Sequence, residues 1–424
     1  MNKKNGTNKT LQVKGLGMVQ YRKIGTLSAD ELNTAVKQTT KSGASTYDIF
    51  NENNVAPTFN DELGAKNSVS FYRLVYHTIT PETNRKERVS GLLAIPRGQG
   101  KQLPMVSWQH GTILDPKEAP SMLVNHDQIK TGASGIPRSA ETLLTIVRLS
   151  GNGYIVSAAD YIGNGKSMTT QAFDVKGATI QTLKDMLTGA KAVSNELGFT
   201  TNQLMIHGWS QGGLNTQWLG NALERNGAAP DRLSTASAPS DLAVVMRYWF
   251  NDHPGNPPTL PVVVPLLFGS YEKHYKIKGL MAYAIRPEYL ETARKIYNKK
   301  IDWTTVQPPS NPNEGPLGLP RTPKDMITGA FLEEFNAGKG RFYKTVVKNS
   351  ALEGRFSGSS NFYGGSADND VPTWSSIQPP VEHQRQLGSD LATGINVGIE
   401  ATHRSTFLGS LFGPQNILDF FNAA

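Results

Sequence analysis

From residue 70 onward, the spacing of apolar positions changes character several times, and each change predicts an element. Residues 70–80 (SFYRLVYHTIT) alternate, with Phe71, Val75 and Thr78 among the strand formers. Residues 89–95 (VSGLLAI) form a second extended run that stops at Pro96. The polar stretch 81–87 between them makes the pair an antiparallel hairpin. Residues 104–108 (PMVSW) read as a short buried strand leading into Gln109-His110-Gly111-Thr112. Helical periods then appear. Leu143, Leu144 and Val147 share one side of 139–150, and Leu183, Leu187, Ala190 and Val193 mark a long helix over 178–197. Strands are expected at 154–159 (YIVSAA), 203–207 (QLMIH) and 232–238, with a further helix at 211–225. Strands alternating with helices imply a mostly parallel, doubly wound sheet.

The flanks read differently. The first twenty or so residues are polar and expected to be loose. Ser28-Ala29-Asp30-Glu31 signals a helix start, with Leu32 and Val36 as its apolar face. Between 240 and 354 the alternation breaks. Helix-like pieces at 242–250, 289–297 and 323–336 are separated by proline-rich links at 254–265 and 308–323. This segment is expected to be a helical cap. The core resumes near Ser360, with a helix at 381–391 and a last strand at 396–402 (NVGIEAT) ending at His403. The expected organisation is therefore an extension (1–66), a core (67–239 and 355–424) and a cap or lid insertion (240–354).

Composition narrows the function classes. The chain has 424 residues, 38% hydrophobic and 18% charged, which excludes wholesale disorder. With no cysteine there is no disulfide, thiolate metal site or cysteine nucleophile. The net charge of +8 is scattered rather than gathered into a basic stripe with interleaved aromatics, so no nucleic-acid partner is expected. A mild attraction to anionic surfaces is compatible with that charge. No apolar run approaches the roughly 18–20 residues of a membrane span. Met1-Asn2-Lys3-Lys4 looks like the front of a secretion signal, but polar Asn5-Gly6-Thr7-Asn8-Lys9 follows. A secreted or periplasmic location with the signal absent is the expectation, and a cytoplasmic one the alternative.

The candidate chemistry centres on Gly208-Trp209-Ser210-Gln211-Gly212. The apolar run Leu204-Met205-Ile206 precedes it, and a helix carrying Leu214, Trp218 and Leu219 follows. That is the strand–turn–helix in which a G-x-S-x-G serine serves as nucleophile. A serine hydroxyl needs a base. The candidates are His77, His110, His126, His207, His253, His274, His383 and His403. His403, directly after the last expected strand, is the choice. His207 reads as a packed core residue, His383 as a solvated one, His110 as loop-shaping, and His253 and His274 as parts of the cap. The acid that orients the base is expected after a late strand, in Gly364-Gly365-Ser366-Ala367-Asp368-Asn369-Asp370. Asp368 is preferred, and Asp370 competes. For the oxyanion, the backbone of Gln211 supplies one N–H and Thr112 the other, with Gly111 and Ile113 as alternatives. Asp160-Tyr161-Ile162-Gly163-Asn164-Gly165-Lys166-Ser167 lacks the phosphate-loop pattern and reads as a structural loop. No metal motif is visible, and no cofactor is expected.

Taken in order, several segments resemble the secretory-lipase (lipase A type) branch of the α/β-hydrolase superfamily. They are Tyr72-Arg73-Leu74-Val75-Tyr76 with Val89-Ser90-Gly91-Leu92-Leu93-Ala94-Ile95-Pro96, Gln109-His110-Gly111-Thr112, Asp160-Tyr161-Ile162-Gly163, Gly208 to Gly213, Asp368 with Val371-Pro372, and His403. The resemblance implies an α/β-hydrolase fold with a helical cap, a Ser210–Asp368–His403 triad, secretion, and hydrolysis of small-molecule or polymeric acyl esters, polyesters included. A peptidase of the same fold is the nearest alternative, and a non-catalytic binding protein on that scaffold a more distant one. Tyr248, Trp249, Phe250 and Phe268 are expected either to line a substrate pocket or to pack the cap. The oligomeric state is not legible in the sequence.

Overall fold

The computed structural model describes residues 6–41, 62–125, 128–129, 139–251, 260–306, 311 and 314–424. Its strands are β1 (Lys9–Val13), β2 (Gly17–Leu27), β3 (Val69–Thr80), β4 (Arg85–Pro96), β5 (Gln102–Gln109), the short pair β6 (Val124–Asn125) and β7 (Gln128–Ile129), β8 (Ile155–Ala159), β9 (Thr200–Trp209), β10 (Arg232–Ala236), β11 (Ser359–Gly364) and β12 (Ala392–Asn396). The core helices are α1 (Ala29–Lys41), α2 (Ala140–Arg148), α3 (Lys176–Glu196) and α4 (Gln211–Arg225). Between β10 and β11 come α5 (Leu242–Phe250), α6 (Leu260–His274), α7 (Leu280–Ala284), α8 (Pro287–Tyr297), α9 (Pro323–Met326), α10 (Gly329–Asn336) and α11 (Gly340–Lys348). The chain finishes with α12 (Thr373–Ser376), α13 (Gln378–Gln386), α14 (His403–Phe412) and α15 (Ile417–Asn422).

Ten strands form one sheet in the order β1-β2-β3-β4-β8-β5-β9-β10-β11-β12. The β1 to β4 pairings and the β4–β8 pairing are antiparallel. From β8 to β12 every pairing is parallel. All parallel strands therefore deliver their carboxyl ends to one edge. The order reverses at β5, which lies between β8 and β9, and such a switch opens a crevice at that edge. Central strands covered on both faces lose their alternation: all five residues of β8 are buried.

One face of the sheet carries α1, α2, α14 and α15, with Leu32, Leu143, Val147, Phe407 and Phe421 packed against Phe71, Val106 and Val156. The other carries α3 and α4, with Leu183, Leu187, Leu219 and Leu223 against Leu93, Met105 and Ile206. The helices α5 to α11 have a core of their own. Phe250, Phe268, Phe331, Phe335 and Phe342 build it, and it continues onto Leu214 and Trp218 of α4. The Trp218 Nε1–H donates to the Asn349 carbonyl at 2.9 Å, tying the end of this layer to the helix behind Ser210.

Several elements depart from expectation. Residues 9–13 and 17–27 are not loose: β1 and β2 extend the sheet, with Val19 and Tyr21 buried. Exposed positions alternate with buried ones along β2, and β1 is mostly exposed, which hid both strands in a count of polar residues. The last strand lies earlier, over Ala392–Asn396, and pairs with β11. The Asn396 side chain caps the strand end by accepting the Gly398 N–H at 3.0 Å, and Ile399, whose apolar character suggested a strand, is 83% exposed. The helix expected over 323–336 is two helices, α9 and α10, broken at extended Ile327 and restarted by Thr328, whose Oγ1 accepts the Phe331 N–H. The helix expected at 381–391 starts earlier, at Gln378, and ends before Gly388, which has a φ of 77°. The capping signal at α1 is present as read: the Ser28 Oγ accepts the Glu31 N–H at 3.1 Å, and the Glu31 carboxylate accepts the Ser28 N–H at 2.7 Å. No helix among the described residues is long and apolar enough to cross a membrane.

Candidate active site

Ser210 stands between β9 and α4 with φ 57° and ψ −125°, a strained conformation for a residue with a side chain. The neighbouring glycines make the turn feasible. A Cβ on Gly212 would overlap the carbonyl oxygens of Gln109 and His110, and one on Gly208 would overlap Gly212 and Thr216. The Ser210 N–H donates to the Ala236 carbonyl at 2.9 Å, so the adjacent strand end steadies the bend. The hydroxyl is left partly exposed at the sheet edge, with the N-terminus of α4 directly behind it.

Three residues chosen from the sequence converge there. The His403 Nε2 lies 2.8 Å from the Ser210 Oγ. The His403 Nδ1 lies 2.9 Å from Asp368 Oδ2 and 3.2 Å from Oδ1. His403 is the first residue of α14, fixed by a reciprocal Thr402–Ser405 cap. Asp368 is buried, and its Oδ1 accepts the N–H groups of Asp370 (3.0 Å) and Val371 (2.8 Å). The competing Asp370 is thus a backbone donor to Asp368, while its own carboxylate adds charge near the imidazole. Burial pulls the His403 pKa down, but Asp368 and Asp370 outweigh it, and the value rises to about 9. Trp209 supports the imidazole twice: its Nε1–H donates to the His403 carbonyl at 3.0 Å, and the two ring centroids lie 5.1 Å apart.

The oxyanion candidates sit where the strand ends put them. Neither the Gln211 nor the Thr112 N–H has an acceptor among the described residues. The Gly111 N–H is already engaged, donating to Glu141 Oε2 at 3.0 Å, which removes one of the alternatives to Thr112. Glu141 was not singled out from the sequence. The signal is a single carboxylate in a helix buried along nearly its whole length, Ala140–Arg148 (AETLLTIVR).

The other histidines among the described residues fall outside this cluster. His110 is buried, with Nδ1 2.7 Å from the Gly111 oxygen and its ring stacked on Tyr161 at 3.9 Å; burial lowers its pKa to about 4. His207 packs in the core, with Nδ1 3.1 Å from the Ser234 Oγ. His77 is exposed on β3, and His274 is buried at the end of α6. His383 is half-buried rather than solvated. His126 and His253 lie outside the described residues. The 160–167 loop is held internally: Asp160 accepts from Ser90 Oγ at 2.5 Å and from the Ser121 N–H at 2.8 Å. Phe250 and Phe268 pack the core shared by α5 to α11, whereas Trp249 donates to the Asp370 carbonyl at 2.6 Å and Tyr248 meets Trp374 at 5.5 Å.

Asp368, Asp370 and His403 present ligand atoms within 4.8 Å of one another, a spacing a cation would accept. Both nitrogens of His403 are engaged by Asp368 and Ser210, so the same atoms are arranged for moving a proton.

Residues 142–226, from within α2 to just past α4, match the prolyl oligopeptidase family. No curated protein matches the chain. Among solved structures, a candidate hydrolase of Legionella pneumophila is similar at 19% identity and TM-score 0.76, covering 95% of this chain and 96% of that one. The rice cell-wall-degrading esterase LipA of Xanthomonas oryzae is similar at 18% identity and TM-score 0.65 (89% and 90% covered). Candida antarctica lipase A is similar at 12% identity and TM-score 0.58 (91% and 76% covered). With the sheet order and flanking helices described above, these likenesses show that the chain has the α/β-hydrolase fold.

Proposed function

We propose that the protein is a serine hydrolase of carboxylic esters. The observation that carries this reading is the hydrogen-bonded line from Ser210 Oγ through the His403 ring to Asp368. In this reading His403 takes the Ser210 proton as the oxygen attacks an ester carbonyl. The Gln211 and Thr112 N–H groups receive the oxyanion, and Asp368 stabilises the imidazolium. His403 then protonates the departing alcohol. A water deprotonated by the same ring releases the acid and restores the serine.

Esters rather than peptides are favoured by the esterase and lipase among the similar structures. The prolyl oligopeptidase match favours peptide hydrolysis as the second reading, but it covers only the part of the chain around the nucleophile turn, without the cap. A panel of p-nitrophenyl esters of rising chain length, an aromatic polyester and peptide anilides separates the two. Ester turnover that disappears in Ser210→Ala supports the proposal; turnover confined to the anilides overturns it. A secreted or periplasmic setting, by the resemblance to secretory lipases, belongs to the same proposal and is tested by fractionating cells that express the native gene.

A further inference from the structure

We propose that Glu141 is a positioning residue for oxyanion binding, holding Gly111 so that the next amide, that of Thr112, faces the carbonyl oxygen under attack. The inference rests on the hydrolytic reading of Ser210. Its basis is a chain of contacts around Gly111. The Glu141 Oε2 accepts the Gly111 N–H at 3.0 Å. Gly111 is pressed between that carboxyl and the Trp209 ring, so a Cβ there would meet Trp209 Cε3 at 2.8 Å and Glu141 Oε2 at 3.2 Å. Trp209 in turn donates to the His403 carbonyl. The loop after β5 is thus clamped between the nucleophile's neighbour and a side chain from α2.

Nothing in the packing of α2 asks for a carboxyl here. Leu143, Leu144, Ile146 and Val147 of the same helix are fully or almost fully buried, and Glu141 is only 8% exposed among them. Burying an acid is unfavourable unless a partner uses it. Burial pushes its pKa up to about 8; the Gly111 hydrogen bond and His403 oppose that rise, and Glu118 adds to it. The titratable groups facing it are Glu118 from the 116–118 turn, Tyr161 after β8 and His403 of α14. At neutral pH the group is therefore mostly uncharged. It can fix a backbone N–H without setting a negative charge beside a developing oxyanion.

The test compares Glu141→Met, which keeps the volume and removes the acceptor, with Glu141→Gln, which keeps a neutral acceptor. For Glu141→Met we expect kcat to fall about 10- to 100-fold with KM within about threefold of wild type. Inhibition by a trifluoromethyl ketone, whose adduct carries the oxyanion, should weaken by the factor by which kcat/KM falls. Glu141→Gln should restore kcat to within about threefold. Wild-type kcat in Glu141→Met, or a loss confined to KM, overturns the proposal. Should Glu141→Met lack a cooperative unfolding transition, the ratio of wild-type to Glu141→Gln kcat/KM decides, because only the wild type carries an ionisable group at 141. That ratio should be flat at lower pH and fall above about 8, where only the wild type gains a charge. A ratio flat throughout overturns the proposal. Wild-type protein that neither hydrolyses esters nor reacts with a fluorophosphonate sinks the hydrolytic reading itself, whereas normal wild-type turnover with an indifferent Glu141→Met sinks only this inference.

Discussion

Replacing Asp368 by Asn changes one atom and removes one charge, and its consequences follow from the contacts of the carboxylate. Oδ1 already accepts two backbone N–H groups, from Asp370 and Val371. An asparagine keeps both only by placing its oxygen there. Its NH2 then faces the His403 Nδ1, which must accept rather than donate. That choice puts the ring proton on Nε2, the nitrogen 2.8 Å from the Ser210 Oγ, and a protonated Nε2 cannot take the serine proton. The charge effect runs alongside. His403 stands at about 9 against an ordinary value of 6.5, although burial alone would hold it below 6.5. The gap corresponds to about 3 kcal/mol of preference for the imidazolium. We expect Asp368→Asn to lower kcat about 10³- to 10⁴-fold, as wrong-tautomer variants of such triads do. The assay is p-nitrophenyl butyrate hydrolysis across pH, with urea unfolding as the control for the fold. In wild type, kcat/KM should rise with pH toward about 9 as the imidazolium loses its proton; in the variant, where only Asp370 still opposes the effect of burial, the midpoint of that rise should move well below 9. Activity within about tenfold of wild type, with an unmoved midpoint, would refute the tautomer and charge reasoning together.

Gly212→Ala should destabilise the fold by about 2–4 kcal/mol, because the added methyl meets two backbone carbonyls that cannot swing aside. An unchanged urea midpoint would contradict that. The His403–Asp368 pair also links stability to pH. The folded-state pKa of His403 is raised, so its contribution is complete below the ordinary 6.5 and is lost as pH rises through about 9. The wild-type advantage over Asp368→Asn in urea should therefore shrink by up to about 3 kcal/mol between those limits. An advantage that grows with pH would reverse the sign of the coupling.

Much of this was legible in the chain because the signals were strong and local. The apolar strand Leu204-Met205-Ile206, the turn at Ser210 and the helix behind it declare themselves together. Places after late strands point to His403 and Asp368, although the sequence pattern puts the strand before His403 too late. That error has a physical source: Val397 and Ile399 look like strand residues, yet Ile399 is exposed in a loop whose start is set by the Asn396 side chain. The amino-terminal strands were missed because they are one-sided, and a polar outer face masks Val19 and Tyr21. Glu141 was missed for a different reason. Its importance lies in a contact with a backbone N–H thirty residues away, and no periodicity reports such a partner. The sequence reads His110 as loop-shaping, but its stacking on Tyr161 needs the sheet to bring β5 and β8 side by side.

The most direct test of the central claim uses a fluorophosphonate on the folded protein, with the labelled peptide identified by mass spectrometry and ester hydrolysis followed in parallel. An activated Ser210 predicts one equivalent of label on that residue, with activity lost in proportion, and no labelling in His403→Ala. Hydrolysis that survives complete labelling, or label on another residue while Ser210 stays free, would contradict it.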